Sequence, residues 1–470
     1  MTDPRDEIDT WLEHDVTPLM PRSGSLDRIR RTARRRKATQ AVLATAGCAV
    51  VVAAAVTVPQ LIGGRSPTPG NPAPAVAGGS SVPKAGPSAS ATGGTDSSGS
   101  KHLRLNQRTT LSTTTSGGSV PADFRPTSVT FVGTQNGSGG VVGAVLGQAG
   151  DAAHPCASSY CTSLAGTSDY GAKWYGVSAP LTGAASGPAG VSQLRFATLK
   201  DGWAFGPQLW ETSGGGWPWT REDTGGLRVT DLETTSGRAF AIFARCAGTG
   251  PDYATACTSF SLYSSAAGST TWAPVAVPPA FRHMRTAIPA SASLFISGGT
   301  VTVLTPTGQV LRGPASGTGA WTVTGQAPCV PGAAQASGFP AEAQLAAWPS
   351  LVLACDTSTA TGYQSTIYTS ADGASWAKAG VAATNGASTS LGVGPDGRLV
   401  LATTAGLYYS ADHGKTWHAA RVTGAPSGGF GYTGMTTSTA GVAVPADAAA
   451  GEVFVTADGG RSWTPSRISG

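Results

Sequence analysis

The sequence predicts an all-β protein, and three observations carry that prediction. Its 470 residues include 65 Gly and 32 Pro, and both residue types weaken helix interiors. A short polar turn ending in Trp recurs about every 50 residues over residues 121–470. Between those turns, short apolar runs alternate with Gly-rich breaks, which is the pattern of strands. With 40% hydrophobic and 12% charged residues, the chain is neither collagen-like nor too polar to bury a core.

The chain divides before the repeats begin. Residues 1–37 carry nine basic and seven acidic side chains, and seven of the nine lie in Arg28–Lys37 (RIRRTARRRK). Residues 38–62 (ATQAVLATAGCAVVVAAAVTVPQLI) hold no charge, a length sufficient to span a bilayer as a transmembrane helix. The distal flank offers only Arg65, so the basic flank keeps the N-terminus in the cytoplasm and exports the rest. A cleaved signal peptide ending near Ala53-Ala54-Ala55 fits less well, because its basic leader would be 37 residues long. A lipoprotein signal at Cys48 fits less again, since apolar residues continue past it. Residues 63–120 are Gly, Pro, Ser, Thr and Ala with almost no large apolar side chains. Such a linker cannot offset its own ordering entropy and is expected to be disordered. As a flexible coil it spans roughly 40–45 Å. The expected localisation is therefore the cell membrane, single-pass, with residues 121–470 outside. Trp11 and Leu12 in the tail suggest a docking peptide for a cytoplasmic partner.

The repeat is explicit. Thr167–Trp174, Ser410–Trp417 and Thr456–Trp463 all read [ST]-x-D-x-G-x-x-W. Ser370–Trp376 is the same pattern one residue shorter, and Thr212–Trp219 has Gly214 in place of Asp. Degenerate copies end at Trp272 and Trp321. Seven marker tryptophans, separated by 41 to 55 residues, match the blade length of a propeller. Each unit reads as four short strands. Arg195–Phe205, Leu294–Leu304 and Leu391–Ala402 each supply two of them around a turn, and Thr366–Thr369 and Gly406–Tyr409 are third strands. The expectation is a seven-bladed β-propeller over 121–470.

These motifs resemble the Asp box of BNR-repeat propellers. That group includes sialidases, sortilin-type receptors and photosystem II stability/assembly-factor-like proteins. The Gly-Trp of RFATLKDGWAFG, just upstream of one turn, is most similar to the last of these. The layout also resembles actinobacterial single-pass membrane proteins with an exported propeller. The motif chemistry implies structural roles. Asp169, Asp372, Asp412 and Asp458 accept backbone N–H groups in their turns. Gly171, Gly414 and Gly460 supply the turn conformation. Trp174, Trp376, Trp417 and Trp463 pack between sheets. None is expected to be catalytic or to bind calcium.

Six of the seven cysteines form local pairs: Cys156/Cys161, Cys246/Cys257 and Cys329/Cys355. An even, locally paired set on the exported side predicts three disulfides that staple excursions within blades, leaving Cys48 free. No Cys or His spacing suits a metal, and no cofactor is expected. Beyond residue 37 the charge is nearly balanced, which argues against nucleic acid. A sialidase needs an arginine triad, and Phe124-Arg125-Pro126 lacks the Ile of the family's first arginine motif. Arginines and acids look scattered, and no GxSxG elbow follows a strand.

The function expected is a non-enzymatic binding, assembly or sensing scaffold of the bacterial cell envelope, with a protein or glycan partner outside. Two alternatives remain: a sialidase-like glycoside hydrolase, and a regulator whose tail binds a partner such as a sigma factor.

Overall fold

In the computed structural model, Thr95–Gly470 forms one compact unit. The structure describes residues 108–110, 118–133, 141–149, 161–183, 189–235, 237–246, 257–284, 292–330, 333–334, 340–341, 344–348, 350–360, 362–447 and 451–469. The tail, the segment 38–62 expected to span a membrane, most of the linker, Cys48 and Cys156 lie outside these residues. Among the described residues no helix is long and apolar enough to cross a membrane.

Seven four-stranded antiparallel sheets follow in chain order. After β1 (Arg108–Thr110), blade 1 is β2 (Arg125–Gly133), β3 (Val141–Gln148), β4 (Thr162–Thr167) and β5 (Tyr175–Val177). Blade 2 is β6 (Gln193–Phe196), β7 (Gly202–Phe205), β8 (Leu209–Thr212) and β9 (Thr220–Glu222). Blade 3 is β10 (Arg228–Thr235), β11 (Arg238–Cys246), β12 (Cys257–Ala266) and β13 (Ala273–Pro274). Blade 4 is β14 (Ser293–Ser297), β15 (Thr300–Leu304), β16 (Gln309–Pro314) and β17 (Thr322–Gln326). A small hairpin, β18 (Ala333–Ala334) with β19 (Pro340–Ala341), precedes blade 5. Blade 5 is β20 (Gln344–Trp348), β21 (Ser350–Thr359), β22 (Gly362–Ser370) and β23 (Ala377–Thr384). Blade 6 is β24 (Ser388–Val393), β25 (Leu399–Thr403), β26 (Gly406–Ser410) and β27 (His418–Ala419). After β28 (Arg421–Val422), blade 7 is β29 (Phe430–Met435), β30 (Gly441–Pro445), β31 (Glu452–Thr456) and β32 (Ser462–Arg467). This is the seven-bladed propeller that the spacing of the tryptophans predicts.

Why continuous apolar runs serve as strands here follows from the packing. Each sheet stands between two others, so both of its faces are buried. In β25, Leu399 and Leu401 join one buried cluster and Val400 and Ala402 the next. Seven such clusters fill the seven gaps between blades, and each holds one marker tryptophan. Trp219 sits with Leu146 and Leu164 of blade 1. Trp463 sits with Val400 and Leu407 of blade 6. Trp174 of blade 1 sits with Val442 and Val453 of blade 7, which closes the ring. Each tryptophan therefore packs on the preceding blade.

First strands adjoin one another around the centre. Their outward backbone groups form open sheet edges, which hydroxyls and carboxylates of the neighbouring blade cover. Ser128 Oγ accepts the Leu194 N–H at 3.0 Å, and Asp231 Oδ2 accepts the Leu294 N–H at 2.6 Å. Asp356 Oδ2 accepts the Ser388 N–H at 2.6 Å. At the seam, blade 7 is complete within residues 430–467 and exchanges no strand with blade 1. Side chains close it instead. Tyr170 Oη donates to the Gly441 carbonyl at 2.6 Å, and Trp174 Nε1 donates to Ser466 Oγ at 2.9 Å. Ser466 Oγ in turn donates to the Gly171 carbonyl.

A short strand forms in the segment preceding the repeats, away from the seam. β1, inside the stretch read as linker, pairs with β9 on the outer edge of blade 2.

Candidate binding faces and channel

Strand direction alternates within each blade, so the propeller has two unlike faces. Turns after first and third strands lie at one end. Loops after second strands, and the connections between blades, lie at the other.

The second face carries the disulfide-bonded cysteines. Cys246 and Cys257 oppose each other at the end of the β11–β12 ladder and form a disulfide with a Cα separation of 4.0 Å. Cys329 and Cys355 form another, with a Cα separation of 5.9 Å. This second bridge differs from a staple within a blade. It ties the connection leaving blade 4 to the second strand of blade 5. Cys161 is also disulfide-bonded, and its expected partner Cys156 lies outside the described residues. The loop ends at blades 1, 3 and 5 are thereby pinned on one face. Arg245, Arg282 and His283 are exposed there.

The other face carries the tryptophan turns, and in the four that hold an Asp the carboxylate accepts N–H groups of its own turn. In Ser410–Trp417, Asp412 Oδ1 accepts the Thr416 N–H at 2.9 Å, and Ser410 Oγ accepts the Gly414 N–H at 2.8 Å. Asp458 accepts the Ser462 N–H at 2.9 Å and Asp169 the Lys173 N–H at 2.9 Å. In the shorter turn Asp372 takes the Ala374 and Ser375 N–H groups at 2.9 and 3.2 Å. Burial pushes the Asp412 carboxyl up, but the Thr416 hydroxyl and N–H, with Ser410, outweigh it and hold it at about 2. Gly460 has φ +88°, and a Cβ there would come within 2.6 Å of Val400 on blade 6. Gly414, at φ +86°, meets Ile367 of blade 5 in the same way at 2.9 Å. Gly171 shares the conformation at φ +85°. The indole N–H groups of Trp417 and Trp463 return to the Gly414 and Gly460 carbonyls at 3.0 and 2.9 Å. Trp376, after the shortened turn, has a buried indole N–H with no such acceptor. Oxygens of all four carboxylates are committed to their own turns. Among the described residues no group of three or more His, Cys, Asp or Glu is placed to hold a metal.

Sequence reasoning missed one constellation. Arg195 on β6, Asp231 and Glu233 on β10, and Tyr432 on β29 come together from three first strands at the channel. Arg195 Nε pairs with Glu233 Oε1 at 2.9 Å, and their side chains retain 15% and 29% exposure. Arg195 Nη1 also donates to the Leu194 carbonyl at 2.9 Å. Asp231 bridges blades 3 and 4 through Leu294 and accepts the Leu232 N–H at 2.8 Å. Burial and then Glu233 push the Asp231 carboxyl up to about 7, against the pull of Arg195 and of these two N–H groups. Burial works to lower the Arg195 guanidinium, but Glu233, Tyr432 and Asp231 keep it raised. Burial also raises the Tyr432 phenol, opposed by Arg195. One guanidinium, paired with Glu233, does not make an arginine triad. No sequence spacing announces it, because Tyr432 lies some 200 residues from Glu233.

Trp210 is buried, and Tyr170 is latched across the seam. Trp217 is 44% exposed on the turn face of blade 2.

No protein-family model matches the chain, and no curated protein matches it. Among solved structures the chain is similar to YCF48 bound to a D1 peptide, at 19% identity over 58% of this chain and 80% of that one, TM-score 0.39. It is similar to YCF48 from Cyanidioschyzon merolae at 13% identity, over 58% and 83%, TM-score 0.36. It is also similar to a catalytically inactive virginiamycin B lyase from Staphylococcus aureus with quinupristin, at 10% identity over 75% and 96%, TM-score 0.39. The fold assignment itself rests on the seven sheets, and the chain resembles these propellers in that fold.

Proposed function

We propose that this protein is a membrane-anchored, exported scaffold of the bacterial envelope that binds a protein or glycan through its loop face. One observation carries the reading: the disulfide-bonded cysteines Cys161, Cys246, Cys257, Cys329 and Cys355 gather on a single face of the closed ring. Loops held on a stiff frame are where propellers and other scaffolds place recognition. On the opposite face the carboxylates of the four Asp-bearing turns are bonded within their own turns. On this reading the turns are Asp boxes with a purely structural role, and the apolar segment 38–62 with the linker 63–120 tethers the ring.

Site-specific photo-crosslinking in cells tests it. A photoreactive residue at Arg245 or Arg282 is expected to give a discrete adduct that one at Lys415 or Thr318, on the turn face, does not. Adducts from the turn face alone, or equally from both, would count against it.

The channel cluster favours a second reading, glycoside hydrolysis, since it holds two carboxylates, an arginine and a phenol. Saturable turnover of a glycoside that is abolished in Glu233→Gln, with the fold intact, would establish it.

A further inference from the structure

We propose that the outer edge of blade 2 is an acceptor site for an extended peptide with a basic residue at one fixed position, and that this chain fills the site in cis with Arg108–Thr110. The inference does not depend on the loop-face reading, because this edge lies on the rim of the ring.

The ladder is the primary observation. All three residues of β9 are paired with β1: Arg108 with Glu222, Thr109 with Arg221, Thr110 with Thr220. An open edge strand offers unpaired backbone groups, and an extended segment that joins it satisfies them without regard to sequence. The same device recurs at blade 7, where Arg421–Val422 adds in parallel to β32. Outer edges of this propeller thus take short extra strands.

Charge sets the selectivity. Glu222 is 2% exposed and Glu211 7%. Leu209 lies opposite Glu222 and Thr220 opposite Glu211, so the two carboxylates share a face of the sheet and are diagonal neighbours. Neither is without a partner. Buried carboxylates require opposite charge or hydrogen bonds. The register puts an arginine directly across from Glu222. On the other face Arg221 is exposed and lies opposite Thr109, where a second cation would be repelled. The edge therefore suits an extended segment that is basic at the position facing Glu222 and uncharged at the next.

The test uses the full chain in detergent and a labelled peptide of residues 103–113. Thr109→Pro removes a ladder donor and dislodges the cis strand. The Thr109→Pro chain is expected to bind the peptide saturably and at least about tenfold more tightly than the wild type, whose edge is filled. The same peptide carrying R108E is expected not to bind, and Glu222→Gln added to the Thr109→Pro chain should weaken binding of the original peptide about tenfold. Should Thr109→Pro not fold, the Arg108→Glu chain replaces it with the same expectations. A folded variant that ignores the peptide, or binds both peptides equally, overturns the proposal.

Discussion

At the scale of single residues, the tryptophan turns divide the work between hydrogen bonding and volume. Trp463 is fully buried and donates to Gly460, whereas Trp376 has no acceptor for its buried N–H. Trp463→Phe is therefore expected to lower stability by about 1–2 kcal/mol more than Trp376→Phe, because only the former orphans a satisfied group. Urea unfolding of the two variants measures the difference. Titration gives a second expectation. The Asp231 carboxyl is raised from 3.8 to about 7, so the stability it adds is complete below pH 4 and fades as pH rises through 7. Asp372, Asp412 and Asp458 are lowered, so their contribution is present above about pH 4 and is lost toward pH 2. Melting temperature should thus peak in mildly acidic solution. Asp231→Asn should remove the decline between pH 5 and 8, a change of about 2–3 kcal/mol. A wild-type melting curve flat from pH 5 to 8 would count against the buried carboxyl.

At the scale of elements, legibility tracked the range of the interaction. The Trp turns were readable because their hydrogen bonds join residues within four positions, as Ser410 does with Gly414. Strand pairs such as Leu391–Ala402 were readable because both strands and their turn are contiguous. The Cys246–Cys257 bridge was readable for the same reason, with a separation of 11. The channel cluster and β1 were not. Arg195 finds Glu233 only after two blades have stacked, and a three-residue strand carries no periodicity. The Cys329–Cys355 bridge was paired correctly but its architectural role was not, because the strand that it holds lies beyond an inter-blade connection. Replacing Cys329 and Cys355 by Ser is expected to cost about 3 kcal/mol. Removing the Cys246–Cys257 bridge is expected to cost slightly less, since its loop is shorter. Differential scanning calorimetry under non-reducing conditions distinguishes the two.

At the scale of the whole molecule, the ring is closed and every blade is built from contiguous sequence. Closure rests on side chains. Phe124 at the start of blade 1 lies beside Gly451 of blade 7, whose carbonyl accepts the Ile468 N–H at 2.9 Å. The two ends of the repeat region therefore meet at the seam, and the ring gains nothing from the particular place where the chain is open. A closed ring of this kind would give the proposed loop face a fixed frame. A circular permutant tests this most directly. It would begin at Ala425, between blades 6 and 7, continue through a flexible linker from residue 470 to residue 101, and end at Gly424. The closed ring predicts a monomer that unfolds in one cooperative transition, with a melting temperature within a few degrees of the unpermuted residues 101–470. A permutant that fails to fold, or that melts in two separate steps, would contradict closure between blade 7 and blade 1.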